Sequence, residues 1–233
     1  MTGRTIAIAG AKGSPGCSFL AVALAECFAA ANLPTLLLDG DAEGGGSAAL
    51  LDLPPGTPVL PIDRNALDER ALQIEQCLRF AELDPATASS FDALESLTAA
   101  RARHGAVVVD LGHATGSLQQ QLSAASDWLL WVVVPDRSGL ERADRALESA
   151  ALGAANVGLV FNRIKPGCLD RADEVLSGRH RLPVLARIKE NRSIGYRMSQ
   201  GLPVHRERSI RRTLLALARS LHPDMAVRVP AWR

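Results

Sequence analysis

Gly10-Ala11-Lys12-Gly13-Ser14-Pro15-Gly16-Cys17-Ser18 follows a β-rich run, Thr5-Ile6-Ala7-Ile8-Ala9, and leads into an apolar helical stretch, Ser18–Ala31. Strand, glycine-rich turn and helix in that order are the layout of a phosphate-binding loop. Backbone N–H groups of the turn and the helix N-terminus together make an anion site. Cys17 stands where this layout carries a lysine, so the positive charge that holds the β- and γ-phosphates is missing. The stretch therefore implies nucleotide binding and argues against fast turnover.

Working outward, short apolar runs alternate with longer helical patterns. The strands expected are Thr5–Ala9, Thr35–Asp39, Ala106–Leu111, Leu129–Val134, Val157–Asn162 and Pro183–Ala186. They are apolar without alternation, as parallel strands covered on both faces are. The helices expected are Ser18–Ala31, Asn65–Ala81, Thr87–Arg103, Gly139–Leu152, Arg171–Ser177, Ile194–Gln200 and Ile210–Leu221. This alternation predicts an α/β doubly wound, mostly parallel sheet in a single domain over residues 1–222, with a loosely ordered tail from Pro223 to Arg233. Ligands of such sheets bind beyond the carboxyl ends of the strands. Lys12–Ser18, Asp39–Asp41, Asp110 and Asn162 all fall there.

The chain has 233 residues, 47% apolar and 22% charged, enough for a core in one soluble domain. Its four cysteines, Cys17, Cys27, Cys77 and Cys168, have no metal spacing and read as reduced cytoplasmic thiols. No apolar run is long enough to cross a bilayer. The net charge of +1 hides a polarity: from Arg179 onward there are 12 Arg, 1 Lys and 3 acidic residues, about +10, against about −9 before it. Such a basic third suits DNA, anionic lipid or an acidic protein partner, or is a solvated helical face. Ile210, Leu214, Leu217 and Leu221 share one face of the last helix, which would either pack in the domain or lie on lipid.

Three further residues fit metal-nucleotide chemistry. Ser18 follows the lysine position, where a hydroxyl ligates Mg²⁺. Leu36-Leu37-Leu38-Asp39-Gly40-Asp41 places two carboxylates just past a strand, where they can hold Mg²⁺ and orient a water. Ala106-Val107-Val108-Val109-Asp110 ends an apolar strand in a single acid, a Walker B pattern. Each is common alone; the three in this order are specific to a nucleoside-triphosphate fold.

On these residues the chain resembles the ParA/MinD family of deviant-Walker-A ATPases from about Thr5 to Leu221. Lys12 matches the family's signature lysine, which reaches the partner's phosphates across a nucleotide-sandwich homodimer. Asp39 and Asp41 match its Asp-x-Asp motif, with Asp41 at the water-activating position, and Asp110 matches its Walker B acid. Val160-Phe161-Asn162-Arg163 resembles the segment in which an asparagine reads adenine. Leu182-Pro183-Val184 to Gly201-Leu202-Pro203-Val204 resembles a late family stretch, with Lys189 where proline is usual. The resemblance implies ATP and Mg²⁺ as ligands. Lys12 and Asp41 would be catalytic, and Lys12, Gly13, Ser14, Gly16, Cys17, Ser18, Asn162 and Arg163 would surround the nucleotide. Ser18, Asp39 and Asp110 would surround the metal. It also implies a protein partner in the positioned machinery, and a cytoplasmic place, peripheral at the inner membrane or nucleoid. Cys17, Ala11 and Ser14 depart from the pattern, as in the septum-placement, pilus-localising (TadZ/CpaE-like) and cellulose-secretion (BcsQ-like) branches.

Other readings compete. A pseudo-ATPase scaffold would keep the fold without nucleotide. Gly10, Gly13 and Gly16 have dinucleotide-binding spacing with Asp39 at a ribose-binding distance, so an oxidoreductase is an alternative. A ligase on the same fold would need the lysine absent at position 17. Cys17 at a helix N-terminus would be either a redox thiol or a small residue filling the loop. His113, three residues past Asp110, would be either a nucleotide sensor or a loop histidine.

Overall fold

The computed structural model of the chain describes residues 3–11, 15–41, 46–54, 59–60, 71–83, 90–113, 116–149, 153–168 and 171–227. The strands are β1 (Arg4–Gly10), β2 (Thr35–Asp39), β3 (Val59–Leu60), β4 (Leu72–Glu75), β5 (Leu78–Leu83), β6 (Ala106–His113), β7 (Trp128–Val133), β8 (Asn156–Ile164) and β9 (Val184–Lys189). Between them run α1 (Cys17–Ala30), α2 (Gly46–Leu50), α3 (Ser90–Arg103), α4 (Ser117–Ala124), α5 (Arg137–Ser149), α6 (Ala172–His180), α7 (Arg192–Ser199) and α8 (Arg208–Leu221). Short 3₁₀ turns cover Val204–Arg206 and Pro223–Val227.

One sheet runs β3-β5-β2-β6-β1-β7-β8-β9, all parallel, with β4 antiparallel on the outer edge of β5. The apolar strands are buried on both sides, and successive residues serve opposite faces. Ile6 and Ile8 join α1, α8 and Ile194 on one face; Ala7 and Ala9 join side chains of α3, α4, α5 and α6 on the other. The doubly wound α/β sheet is the fold the sequence implies. Its strand order removes the dinucleotide alternative. In the classical dinucleotide order the strand after the glycine loop's helix pairs with β1. Here β6, the Asp110 strand, lies between β1 and β2.

Two expectations change and one open choice is decided. The helix expected over Asn65–Ala81 is corrected in its described part: residues 61–70 lie outside the described ones, and residues 71–81 belong to the β4–β5 hairpin. Two-residue alternation decides it, since Leu78 and Phe80 turn into the core and Arg79 does not. The last helix does not offer its apolar face to lipid: Ile210, Leu214, Leu217, Ala218 and Leu221 are all in the core. Third, helices α2 and α4 occupy segments left without an element in the sequence. The chain then continues past Leu221 into the turn Pro223–Val227, which buries Met225 completely; residues 228–233 lie outside the described ones.

Candidate functional site

A cleft of about 850 Å³ opens at the carboxyl end of the sheet, between the start of α1, Asp41, the end of β6, Asn162 and α7. Helix α1 begins after Gly16, whose φ of 96° lies in the left-handed region glycine tolerates, and no side chain caps it. The N–H groups of its first turn and the positive end of its dipole therefore face this cleft uncovered, as an anion site requires. Asn162 holds the loop in place. Its Nδ2 donates to the Pro15 carbonyl at 2.8 Å, and its Oδ1 accepts from the Arg163 N–H at 2.9 Å. Two of the amide's bonding positions, which the resemblance assigns to adenine, are thus engaged with protein. Lys12, Gly13 and Ser14 lie outside the described residues.

Behind the cleft-lining Ser18, Asp41 and Gly112 lie two buried acids. Asp39 and Asp110 are register partners on β2 and β6, and both are fully buried. Asp39 accepts from the N–H groups of Asp41 and Ser47, each at 3.1 Å. Asp110 accepts from the Gly112 N–H at 3.1 Å and the Ser47 hydroxyl at 3.0 Å, and the Ser18 hydroxyl also donates to it. Every one of these donors is neutral. Burial, then the neighbouring Asp110 charge, pushes the Asp39 carboxyl up to about 7, and burial also raises Asp110. Two adjacent buried acids with two hydroxyls and no cationic partner among the described residues suit a divalent cation. No three His, Cys, Asp or Glu side chains among the described residues form a cage of their own. Mg²⁺ typically takes one or two carboxylates and completes its shell with water and phosphate oxygens, so the donor set fits it.

Cys17 lines the cleft but brings no positive charge to it. Its side chain is buried and its Sγ–H donates to the Gly112 carbonyl at 3.5 Å. Burial, then the Asp110 and Asp41 charges, pushes the thiol well above its ordinary range. A buried thiol held protonated favours the loop-filler reading over the redox one. Gly112 closes the same corner. The β1–β6 register slips by one residue after Asp110, Gly112 takes a φ of 52°, and a Cβ there would lie 2.2 Å from the Asp41 carboxylate. Gly112→Ala is therefore expected to destabilise the fold by roughly 2–4 kcal/mol, from backbone strain plus displacement of Asp41. An unchanged urea midpoint would contradict this.

The opposite wall carries the cations. Arg163 also has a left-handed φ, 57°, and its guanidinium meets Glu190 at 3.4 Å. Lys189 and Arg192 line the cleft as well. Sequence reasoning missed Ser47, which bridges Asp39 and Asp110, and Gln119, whose Nε2 holds the Gly40 carbonyl at 2.9 Å. The glycine run before Ser47 was the available signal, since it permits close approach: a Cβ on Gly46 would meet Ser18 Oγ at 2.5 Å.

Residues 6–204 match the model of the CobQ/CobB/MinD/ParA nucleotide binding domain, CbiA. The chain belongs to this family. The CobQ/CobB/MinD/ParA match spans the loop, both acidic strands, Asn162 and α7. No curated protein matches the chain's sequence. Solved structures share the fold across nearly the whole chain. The MinC:MinD cell division complex of Aquifex aeolicus superposes with a TM-score of 0.80 at 19% identity, covering 99% of this chain and 98% of that one. Septum site-determining MinD of Pyrococcus horikoshii, complexed with Mg-ADP, gives 0.74 at 18%, covering 97% and 98%. A McdA variant of Cyanothece complexed with ATP gives 0.76 at 13%, covering 100% and 99%. No helix among the described residues is long and apolar enough to cross a membrane.

Proposed function

We propose that this chain is a nucleotide-dependent dimerising switch of the ParA/MinD type that positions other cellular machinery and hydrolyses ATP weakly or not at all. The observation that carries the reading is the acid pair behind the cleft: Asp39 and Asp110 sit buried beside Ser18 with no cationic partner among the described residues, while the lysine position holds a buried neutral thiol. The metal half of the site is kept and the phosphate cation of the same subunit is lost. Ser18, Asp39 and Asp110 would hold Mg²⁺, whose chemistry is to neutralise phosphate charge. Gly13, Ser14, Gly16, Cys17, Asn162 and Arg163 would line the nucleotide. Lys12 would reach the phosphates of a second copy, and Asp41 would orient water. The likeness to MinD with Mg-ADP and to McdA with ATP supports a nucleotide in this cleft. The departures at Ala11, Ser14 and Cys17 support a place in the septum-placement, pilus-localising or cellulose-secretion branches.

Helix α8 spends its apolar face in the core and leaves Arg208, Arg212 and Arg219 exposed on the other side. That arrangement favours DNA or an acidic protein over insertion into lipid. The chain would then work in the cytoplasm, at the nucleoid or at a membrane-bound partner. In light scattering with millimolar ATP and Mg²⁺ the protein is expected to shift from monomer to dimer, and Lys12→Ala to stay monomeric. No bound nucleotide and no dimer under those conditions would sink the reading. A scaffold without nucleotide is the second reading, favoured by an Asn162 amide already bonded to Pro15 and Arg163. The same titration separates the two.

A further inference from the structure

We infer that Glu26 and His205 form a buried clip that positions helix α7, the wall of the cleft facing the glycine loop. From Phe19 to Ala29 every residue of α1 is buried, and Glu26 is the one ionisable carboxylate among them. Glu26 is 6% exposed and His205 7%. The Glu26 Oε2 accepts from both the backbone N–H of His205 at 3.1 Å and its Nδ1 at 3.0 Å. An apolar residue would fill this place on α1 without the cost of desolvating a carboxylate. A satisfied buried pair adds little net stability over such a residue; what it adds is a fixed geometry.

Helix α7 needs that geometry. Ile194 is its only buried residue, and Arg192, Gly195 and Met198 line the cleft beside it. With so little apolar area, α7 is held by polar ties at its two ends. At its start, the Asn191 Nδ2 donates to the Ser209 hydroxyl of α8 at 2.7 Å. At its end, the Arg197 Nε donates to the Pro203 carbonyl at 3.2 Å, at the entry to the 3₁₀ turn Val204–Arg206. That turn is what Glu26 grips. The loop and the opposite wall are thereby both referenced to α1, and Glu26 and His205 are positioning residues for the cleft. Elements with few buried apolar contacts open locally at low free energy, so cutting one tie should free α7 alone.

Hydrogen exchange on the whole chain without ligand tests this. In Glu26→Gln, amide exchange over residues 192–206 is expected to rise by about tenfold or more, with α8 unchanged. Ser209→Ala should loosen the same helix from its other end, and His205→Asn, which keeps one donor, should loosen it less. Exchange that rises equally in α1 and α8, or nowhere, overturns the clip. Should Glu26→Gln not fold, the ordering of the other two variants decides. A second arm rests on the nucleotide reading: Glu26→Gln should weaken ATP binding and leave inorganic triphosphate binding unchanged, and equal loss for both ligands overturns the positioning role. If the wild type binds no ATP, the functional reading falls and the exchange result decides the clip by itself.

Discussion

Cys17→Lys is expected to raise ATP affinity by roughly ten- to a hundredfold, the equivalent of one charge-assisted hydrogen bond of about 1.5–3 kcal/mol. The physical case rests on what now surrounds the thiol. Burial first, and then the nearby Asp110 and Asp41 carboxylates, raise the Cys17 pKa; the two carboxylates bring negative charge to this position. A field that opposes a thiolate favours an ammonium, and the same field is what a phosphate chain would have to enter. The lysine would offset it, and its length would carry the charge past the Gly112 carbonyl that the Sγ–H contacts. Hydrolysis should rise with affinity, because the missing cation is one that stabilises charge on the transferring phosphoryl group. Titration with a fluorescent ATP analogue and a phosphate-release assay read both effects. Unchanged affinity together with unchanged hydrolysis would mean the loop does not meet phosphate in this way.

That result would also show how far the sequence could be trusted at this site. The fold was legible because its strands are continuous apolar runs ending at the residues that matter: Asp39 ends β2, and Asp110 lies near the end of β6. The Cys17 substitution was legible as a lost charge. Its consequence was not, because the thiol's partner, Gly112, is 95 residues away and is brought there by the β6 bulge. Ser47 was hidden for the same reason: it reaches Asp110 across 63 residues of chain. The failure at residues 65–81 was of another kind. Ala71–Ala81 mixes charged and apolar residues at spacings that fit a helix, and only pairing of β5 with β2 selects the two-residue period. The last helix shows the opposite case. Its apolar stripe was plain, but whether lipid or core covers such a stripe depends on α1 and β9, which no local pattern contains.

Asp110→Asn is expected to stabilise the ligand-free protein at pH 8 while abolishing its Mg²⁺-dependent response to nucleotide. Asp39 and Asp110 are held side by side without solvent, and every donor to them is neutral. An Asp39 carboxyl raised from 3.8 to about 7 is protonated in the folded chain over a pH range where the unfolded chain has released its proton. The sign follows: this contribution to stability is fully present below about pH 4 and is lost as pH rises through 7. The full interval corresponds to roughly 4 kcal/mol as an upper figure, shared between two acids that titrate together. Asparagine at position 110 removes one of the two charges. Its carbonyl still accepts from the Gly112 N–H, and its amide can donate to the Ser47 or Ser18 hydroxyl, at the cost of one acceptor for those two hydroxyls. A gain of about 2 kcal/mol, or roughly 4–8 °C in Tm, is expected at pH 8, with little gain at pH 5. Thermal melts at the two pH values measure it. A variant that melts lower than wild type at pH 8 would mean the pair is not the electrostatic burden its geometry implies. A stabilised fold with no Mg²⁺-nucleotide response would show that Asp110 is kept for its ligand, at a cost to the empty protein.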